Sequence, residues 1–238
     1  MLPPGATPCA PSSAQESFGV VAEDDGSYRI TRGGHATSYG LDLDFALMLL
    51  DNELASYVGL HAPNRIFVHA GVAGHAGRAI IVPGRSMAGK TTLVLELARA
   101  GAEYYSDEFA VIDERGLVHP YARRPSPRER AEGQHDDDLE RLGKPQRDEP
   151  LPIGAVVLTT YRAGTEWKPR RLSPARGVLA MLANTLPAME RSEEAVRVIR
   201  RALDGAVVLE GDRGEARAIA PQVLDLNAAA SLGARPAT

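Results

Sequence analysis

Residues 80–98 decide how this chain folds, and they read Ile80-Ile-Val-Pro-Gly-Arg-Ser-Met-Ala-Gly-Lys-Thr-Thr-Leu-Val-Leu-Glu-Leu-Ala98. An apolar run leads into Gly84, four further residues and then Gly89-Lys90-Thr91, and a helical pattern follows. A strand that turns through such a loop into a helix gathers backbone N–H groups around a concave space. Those donors and the helix N-terminus attract phosphate oxygens. The stretch therefore predicts a loop that binds the phosphates of a nucleotide.

Each residue of this loop has an expected role. Lys90 would reach the β- and γ-phosphates of ATP, and the Thr91 hydroxyl would coordinate Mg²⁺. The predicted nucleotide contacts are the loop and the start of its helix: Gly84, Arg85, Ser86, Met87, Ala88, Gly89, Lys90, Thr91 and Thr92. The helix should bury one face and end at Gly101, and the predicted buried residues are Leu93, Leu97 and Ala100.

Composition excludes several classes of protein. The chain has 238 residues, of which 44% are hydrophobic, and its net charge of −4 with a pI near 5.9 argues against a general nucleic-acid binder. A single cysteine, Cys9, rules out an internal disulfide framework and a cysteine metal site. No apolar run approaches the roughly 20 residues that cross a bilayer, and the N-terminus lacks a secretory signal pattern. We therefore expect a soluble cytoplasmic protein without membrane or nucleic-acid partners.

Hydrophobic periodicity predicts the remaining elements. Residues 1–17 should form a disordered tail, and residues 18–238 a single domain. The predicted strands are 18–22, 27–31, 66–72, 78–82, 102–106, 109–112, 117–119, 153–161 and 206–210, and the predicted helices outside the loop are 44–60, 174–186, 192–203 and 220–226. Turn residues predict hairpins at 74–77 and 113–116.

Residues 123–150 differ from the rest, because they are rich in Arg, Asp, Glu and Pro and contain only two leucines. This composition predicts a long mobile segment, either a lid over the site or plain disorder. Phosphoryl transfer uses positive charge in the transition state. Arg128 is the arginine of this segment that we assign to that role, ahead of Arg123 and Arg124.

The chain from about residue 66 to residue 125 resembles the catalytic domain of HPr kinase/phosphorylase, in its short relatives without the long N-terminal domain. The phosphate loop is one common feature. His69, fifteen positions before Gly84, matches a family histidine that is followed by a small residue. Asp107 and Glu108, seventeen and eighteen positions after Lys90, match the family's two aspartates. Met87 and Glu108 depart from the family's glycine and second aspartate, and its downstream Glu-x-Arg-Gly signature is not recognisable at the expected place.

The resemblance implies a fold and an activity. The fold is an α/β P-loop domain of the type shared with phosphoenolpyruvate carboxykinase, with a mixed, largely antiparallel sheet and flanking helices. The activity is an ATP-dependent kinase that transfers the γ-phosphoryl group to a hydroxyl of a peptide, a protein or a small molecule. In this scheme Asp107 takes the proton from the acceptor hydroxyl, His69 contacts the γ-phosphate or orients Asp107, and Glu108 helps Thr91 to hold Mg²⁺.

Two other functions stay open. Residues 109–114 read as four apolar residues followed by Asp113-Glu114, which is the pattern of the magnesium-binding strand of an ATPase or switch protein. The same residues lead into Gly116 and also fit a hairpin turn. A nucleotide-binding regulatory module without catalysis is the other alternative. The sequence also leaves open whether the protein forms a homo-oligomer.

Overall fold

The protein is described here by a computed structural model that covers residues 7, 10, 13–84, 88–121, 149–186 and 189–233. Arg85, Ser86 and Met87 lie outside the described residues, and so does Arg128. The same holds for nearly all of the predicted mobile segment and for most of the predicted N-terminal tail. The expectations placed on them stay predictions.

The described residues form two compact units, Leu2–Ala62 and Pro63–Thr238. The strands are β1 (Phe18–Ala22), β2 (Tyr28–Arg32), β3 (His35–Leu41), β4 (Arg65–His75), β5 (Arg78–Pro83), β6 (Glu103–Ser106), β7 (Phe109–Asp113), β8 (Leu117–His119), β9 (Leu151–Leu158), β10 (Arg170–Leu172) and β11 (Val207–Glu210). The helices are α1 (Leu43–His61), α2 (Lys90–Arg99), α3 (Pro174–Leu182), α4 (Ser192–Ala202) and α5 (Ala216–Gly233). This arrangement confirms a mixed α/β protein with a mixed sheet.

The smaller unit is an antiparallel meander, β1-β2-β3, against which α1 packs. Asp42 caps α1 by accepting a hydrogen bond from the Phe45 N–H at 2.8 Å, which satisfies one of the free donors of the first turn. The predicted helix is confirmed, and two of its leucines, Leu47 and Leu54, are exposed. Small residues of α1, Ala46 among them, are buried instead.

The larger unit is built on an eight-stranded sheet in the order β10-β11-β9-β5-β4-β7-β8, with β6 paired to β4. Two pairings between the described strands of this sheet are parallel, β9 with β5 and β9 with β11, and the others are antiparallel. The carboxyl ends of β5, β9 and β11 therefore meet at one edge. In sheets with parallel strands, ligands commonly bind outside that edge.

Strand β4 joins two parts of this sheet because it is long enough to have different partners along its length. Its first half pairs with β7, from Arg65 opposite Asp113 to His69 opposite Phe109. Its second half pairs with β5, and β6 also pairs with this half. Strand β8 contacts both β7 and β9, which closes the path β9-β5-β4-β7-β8 into a ring.

Helices cover both faces of the sheet, since the strand side chains alternate between two cores. In β5, Ile81 packs with α3 and α4, in a core that includes Met181 and Ile199. Its neighbour Ile80 packs with α2 and α5, in a core that includes Leu93 and Val223. The predicted phosphate loop thus joins a central buried strand, β5, to a helix, α2, that packs in one of these two cores.

The segments beside the loop confirm most of the predicted elements. The hairpins β4–β5 and β7–β8 form, and Gly101 ends α2 with a φ of 105°. Ala100 is exposed, so the prediction that it lies in the buried face is wrong, because α2 ends one residue before it. Helix α3 is shorter than predicted and α5 is longer, with Pro221 in its interior. Strands β3 and β10 were not predicted.

None of the helices in the described residues is both long enough and apolar enough to cross a membrane.

Candidate functional site

The predicted loop leaves the sheet at the end of β5 and enters α2 at Lys90. Its first residue is tied to the neighbouring strand, since the Gly84 N–H donates to the His69 carbonyl oxygen at 3.2 Å. At its other end Gly89 has a φ of 76°, in the left-handed region that favours glycine, and lies at the N-cap position of α2. The Gly89 carbonyl oxygen accepts the first helical hydrogen bond, from Leu93. Both ends of the loop are therefore held in place.

The two functional side chains at the start of α2 are buried. Lys90 is 5% exposed and Thr91 is 6% exposed. The N-terminal end of the helix dipole carries partial positive charge, so the dipole does not favour a lysine ammonium group there. Lys90 therefore adds a full positive charge to the partial positive charge of the helix N-terminus.

Asp107 comes directly after β6 and is brought to the loop helix. The Thr91 hydroxyl donates to Asp107 Oδ2 at 3.1 Å, and the Tyr104 hydroxyl donates to Asp107 Oδ1 at 2.8 Å. Asp107 is 8% exposed. The turn after it is fixed by Ser106, whose Oγ accepts from the N–H groups of Glu108 and Phe109 at 3.2 and 3.0 Å. The structure therefore brings together Thr91 and Asp107, as the sequence spacing predicts.

Tyr104 was not among the predicted site residues. Burial, and secondarily the charge of Asp107, raise the pKa of the Tyr104 hydroxyl well above its usual value. The phenol therefore keeps its proton and stays a hydrogen-bond donor to the carboxylate. Alternation along β6 is the signal that could have identified it, because residues two apart on a strand share a face and Tyr104 precedes Ser106 on this short strand.

His69 lies on β4, opposite Phe109 of β7, with ring centroids 5.7 Å apart. Burial, followed by the positive charge of Lys90, lowers the pKa of His69 to about 4. The imidazole is therefore neutral near pH 7. The predicted roles of His69 toward the γ-phosphate and Asp107 stay predictions, and a neutral ring would fill them as a hydrogen-bonding group rather than as a cation.

Glu108 is half-buried beside Asp107. Its backbone is anchored, because its carbonyl oxygen accepts from the Ala70 N–H of β4 at 3.0 Å. The main chain therefore holds this acidic pair against the strand next to the loop. The expected part of the Glu108 side chain in holding Mg²⁺ stays a prediction.

Asp113 and Glu114 do not belong to this site. Asp113 lies opposite Arg65, at the start of β4. The loop is anchored four residues further along this strand, at the His69 carbonyl oxygen. Its carboxylate binds within its own hairpin, accepting from the Leu117 N–H at 3.0 Å and lying 3.0 Å from His119 Nε2. Burial acts to raise the pKa of Asp113, but hydrogen bonds from His119 and from its own turn lower it below the usual value. The structure places Asp113 in a hairpin turn.

Arg213 is a second residue of this region that sequence reasoning missed. It lies between β11 and α5, yet its Nη2 donates to the Gly89 carbonyl oxygen at 3.0 Å, and its Nη1 donates to the Gly214 carbonyl oxygen at 3.0 Å. No local pattern could have identified this contact, since 124 positions separate the two residues.

Oxygen ligands at the loop helix suit Mg²⁺. This ion prefers hard oxygen donors and is commonly held by one or two carboxylates together with substrate phosphates. The Thr91 hydroxyl is such an oxygen donor, and it lies beside the Asp107 carboxylate. Within the described ranges, no group of three or more His, Cys, Asp or Glu residues forms a cage for a metal ion. Phosphate oxygens of a bound nucleotide and water would supply further ligands.

Comparison with known proteins adds no identification: no protein-family model matches the chain, and no curated protein matches it either.

Proposed function

We propose that this protein is an ATP-dependent kinase that transfers the γ-phosphoryl group to a hydroxyl of a peptide, a protein or a small molecule. The observation that carries the proposal is the hydrogen bond between Thr91, at the start of the loop helix, and the buried Asp107 carboxylate. It joins a group suited to bind Mg·ATP to a group suited to accept a proton. The likeness of the loop, His69 and Asp107-Glu108 to HPr kinase/phosphorylase supports the same reaction.

Binding of the triphosphate would rest on positive charge at the start of α2. The helix N-terminus presents backbone N–H groups and the positive end of its dipole, and Lys90 adds a full charge. Because Lys90 is 5% exposed, little water competes with a bound phosphate for it. Electrostatic interactions are stronger in such a water-poor site than in bulk solvent.

In the proposed reaction, the oxygen of the acceptor hydroxyl attacks the γ-phosphorus of ATP. A new P–O bond forms to the acceptor, and the bond between the γ-phosphorus and the β,γ-bridging oxygen breaks with release of ADP. The hydroxyl proton passes to Asp107. Tyr104 holds one carboxylate oxygen by its hydrogen bond of 2.8 Å and so fixes the orientation of the base.

Mg²⁺, when bound by Thr91 and the phosphates, would neutralise charge on the β- and γ-phosphates. A carboxylate beside the metal can act as a ligand, directly or through water, or as the base. The two roles differ in what they predict for a neutral isostere. A ligand that is lost weakens Mg·ATP binding, whereas a base that is lost slows transfer and leaves binding in place.

An ATPase or switch protein is the second candidate, because the same Thr91–Asp107 contact would also suit the hydrolysis of ATP. In that case a water molecule would replace the acceptor hydroxyl as nucleophile. Asp113 does not support this alternative, because its carboxylate is engaged in the β7–β8 hairpin. The two candidates separate by whether ADP formation requires an acceptor.

The experiment is a set of hydroxyl acceptors tested with γ-labelled ATP. Peptides with a single Ser, Thr or Tyr and a panel of small alcohols are incubated with the protein, and both ADP and labelled acceptor are measured. A kinase forms the two products in equal amounts and only with an acceptor. ADP without labelled acceptor would indicate an ATPase, and tight Mg·ATP binding with neither product would indicate a regulatory module.

For the acceptor that responds, we expect Asp107→Asn to lower the single-turnover transfer rate by about 10²–10⁴-fold, because removal of a positioned base has that effect. Mg·ATP affinity should change little. The matched control is Asp113→Asn, which neutralises an equally buried carboxylate that lies at the far end of β7. Transfer by Asp107→Asn within about threefold of the native rate, roughly 0.65 kcal/mol, would remove Asp107 from this role.

A further inference from the structure

Arg213 is a buried cation that forms no ion pair with the residues that the structure describes. Its side chain is 2% exposed, and none of the ion pairs formed by the described residues includes it. Other arginines of the same region do have carboxylate partners, such as Arg162 with Asp212 at 3.0 Å. Arginine is seldom buried to this degree unless a negative charge accompanies it. The lack of a direct ion pair to Arg213 within the described residues therefore requires an explanation.

The hydrogen bonds of Arg213 leave part of its donor capacity unused. A guanidinium group carries five N–H donors, and two carbonyl oxygens, those of Gly89 and Gly214, accept from its terminal nitrogens. Its Nε is buried and has no partner within the described residues. The group is thus oriented by neutral carbonyls, and its positive charge is not neutralised by them.

The Arg213 guanidinium group lies directly against Gly89. A Cβ added to Gly89 would lie 2.5 Å from Arg213 Nη2, so any side chain at this position would displace the guanidinium group. The positive φ of Gly89 favours glycine independently. The glycine that precedes Lys90 therefore does two things: it makes the turn into α2, and it admits a second cation beside the first turn of the helix.

Tyr161 holds the other side of the guanidinium group. The Arg213 Cζ lies 5.6 Å from the centre of the Tyr161 ring, in a cation–π arrangement. The Tyr161 hydroxyl donates to Glu215 Oε1 at 2.8 Å. Burial lowers the pKa of Arg213, while the charges of Glu215 and Tyr161 act in the opposite direction. Burial therefore disfavours the charged form of Arg213. A bound anion would offset this effect.

We propose that Arg213 is the second phosphate-binding cation of the loop and that, with Lys90, it makes nucleotide affinity depend on the charge of the phosphate chain. The proposal rests on the proposed function, since it assumes that the loop binds a nucleotide. Arginine is well suited to this task because its planar group stays charged and can bind carbonyl and phosphate oxygens together. Its placement between β11 and α5 would also couple the C-terminal helix to occupancy of the loop.

Calorimetry with four ligands tests the proposal: Mg·ATP, Mg·ADP, inorganic pyrophosphate and adenosine. We expect Arg213→Gln to weaken the first three by about tenfold to a hundredfold, the range for loss of a hydrogen bond to a charged group, and to leave adenosine affinity unchanged. Arg213→Lys retains the charge but not the planar group, so it should bind the phosphate ligands less tightly than the native protein and more tightly than Arg213→Gln. Arg217→Gln is the control, because Arg217 is exposed on α5 four residues later.

The outcomes separate this inference from the function on which it rests. If the native protein binds none of the phosphate ligands, the loop is not a phosphate site and both proposals fail. If the native protein binds Mg·ATP and a folded Arg213→Gln binds it within about twofold of the native affinity, only the inference about Arg213 fails. Should Arg213→Gln not fold, Arg213→Lys decides. A folded lysine variant that has lost the phosphate ligands would contradict a role for charge, and one that keeps them would support it.

Discussion

Three side chains of the candidate site show how burial determines the chemistry of single residues. Asp107 and Tyr104 form one buried pair, in which the tyrosine stays protonated and donates to the carboxylate. His69 is kept neutral by burial and by the charge of Lys90. Sequence spacing predicted Asp107 and His69, because both precede or follow the loop at distances seen in a known family. It did not predict Tyr104 or Arg213, whose contacts depend on the folded chain.

The lowered pKa of His69 predicts a specific dependence of stability on pH. Its pKa falls from 6.5 to about 4 on folding, so between these values the unfolded chain binds more protons than the folded one. Stability should therefore decrease as the pH falls from about 6.5 to about 4. The contribution is about 1–2 kcal/mol once the partial solvent exposure of the ring is allowed for.

Urea unfolding of the native protein and of His69→Gln over this pH range measures the effect. The free energy of unfolding of the native protein should fall relative to that of His69→Gln as the medium becomes acidic. His75→Gln removes a second histidine from β4 and controls for the substitution itself. A difference between native and His69→Gln that stays constant with pH would show that His69 does not titrate in this way.

At the scale of elements, α2 is held close to the sheet by a glycine. A Cβ added at Gly71 of β4 would lie 2.5 Å from Val94 Cγ2 and 3.6 Å from Lys90 Cβ. The loop helix can therefore approach the strand only because this position lacks a side chain. Since Lys90 lies on the same turn, the contact also fixes where the ammonium group stands.

We expect Gly71→Ala to destabilise the protein by about 1–3 kcal/mol, because an added methyl group overpacks this contact. Val94→Ala removes the atom it meets, so the double variant should be more stable than the sum of the two single changes by about 1 kcal/mol. Chemical denaturation of the four proteins gives this coupling. Additivity within about 0.5 kcal/mol would mean that α2 does not depend on the close approach.

The elements that sequence predicted are those with strong periodicity or clear turns. The β4–β5 hairpin, with Gly77 in its turn, and the strand before the loop are examples. Strands β3 and β10 were missed because neither has a buried residue to give an alternating pattern. The length of α5 was underestimated because Pro221 is a residue that usually ends a helix.

At the scale of the larger unit, the sheet brings distant segments to one place. Lys90 comes from the loop helix, Asp107 from the end of β6, and Arg213 from the segment after β11. The contact of β8 with β9 joins residues on either side of the segment that sequence predicts to be mobile. Pairings of this kind depend on backbone hydrogen bonds between remote strands. Local propensity therefore predicts the elements of this sheet but not its closure.

The central claim is that the loop binds the phosphates of ATP, and calorimetry of Mg·ATP with Lys90→Ala tests it most directly. The matched control is Lys168→Ala, since the Lys168 side chain is 77% exposed and pairs with Glu166 at 2.8 Å. We expect the native protein and Lys168→Ala to bind Mg·ATP alike. Lys90→Ala should keep its fold by circular dichroism and lose at least about tenfold in affinity, as for other hydrogen bonds to charged groups. A folded Lys90→Ala that binds Mg·ATP as tightly as the native protein would contradict the account.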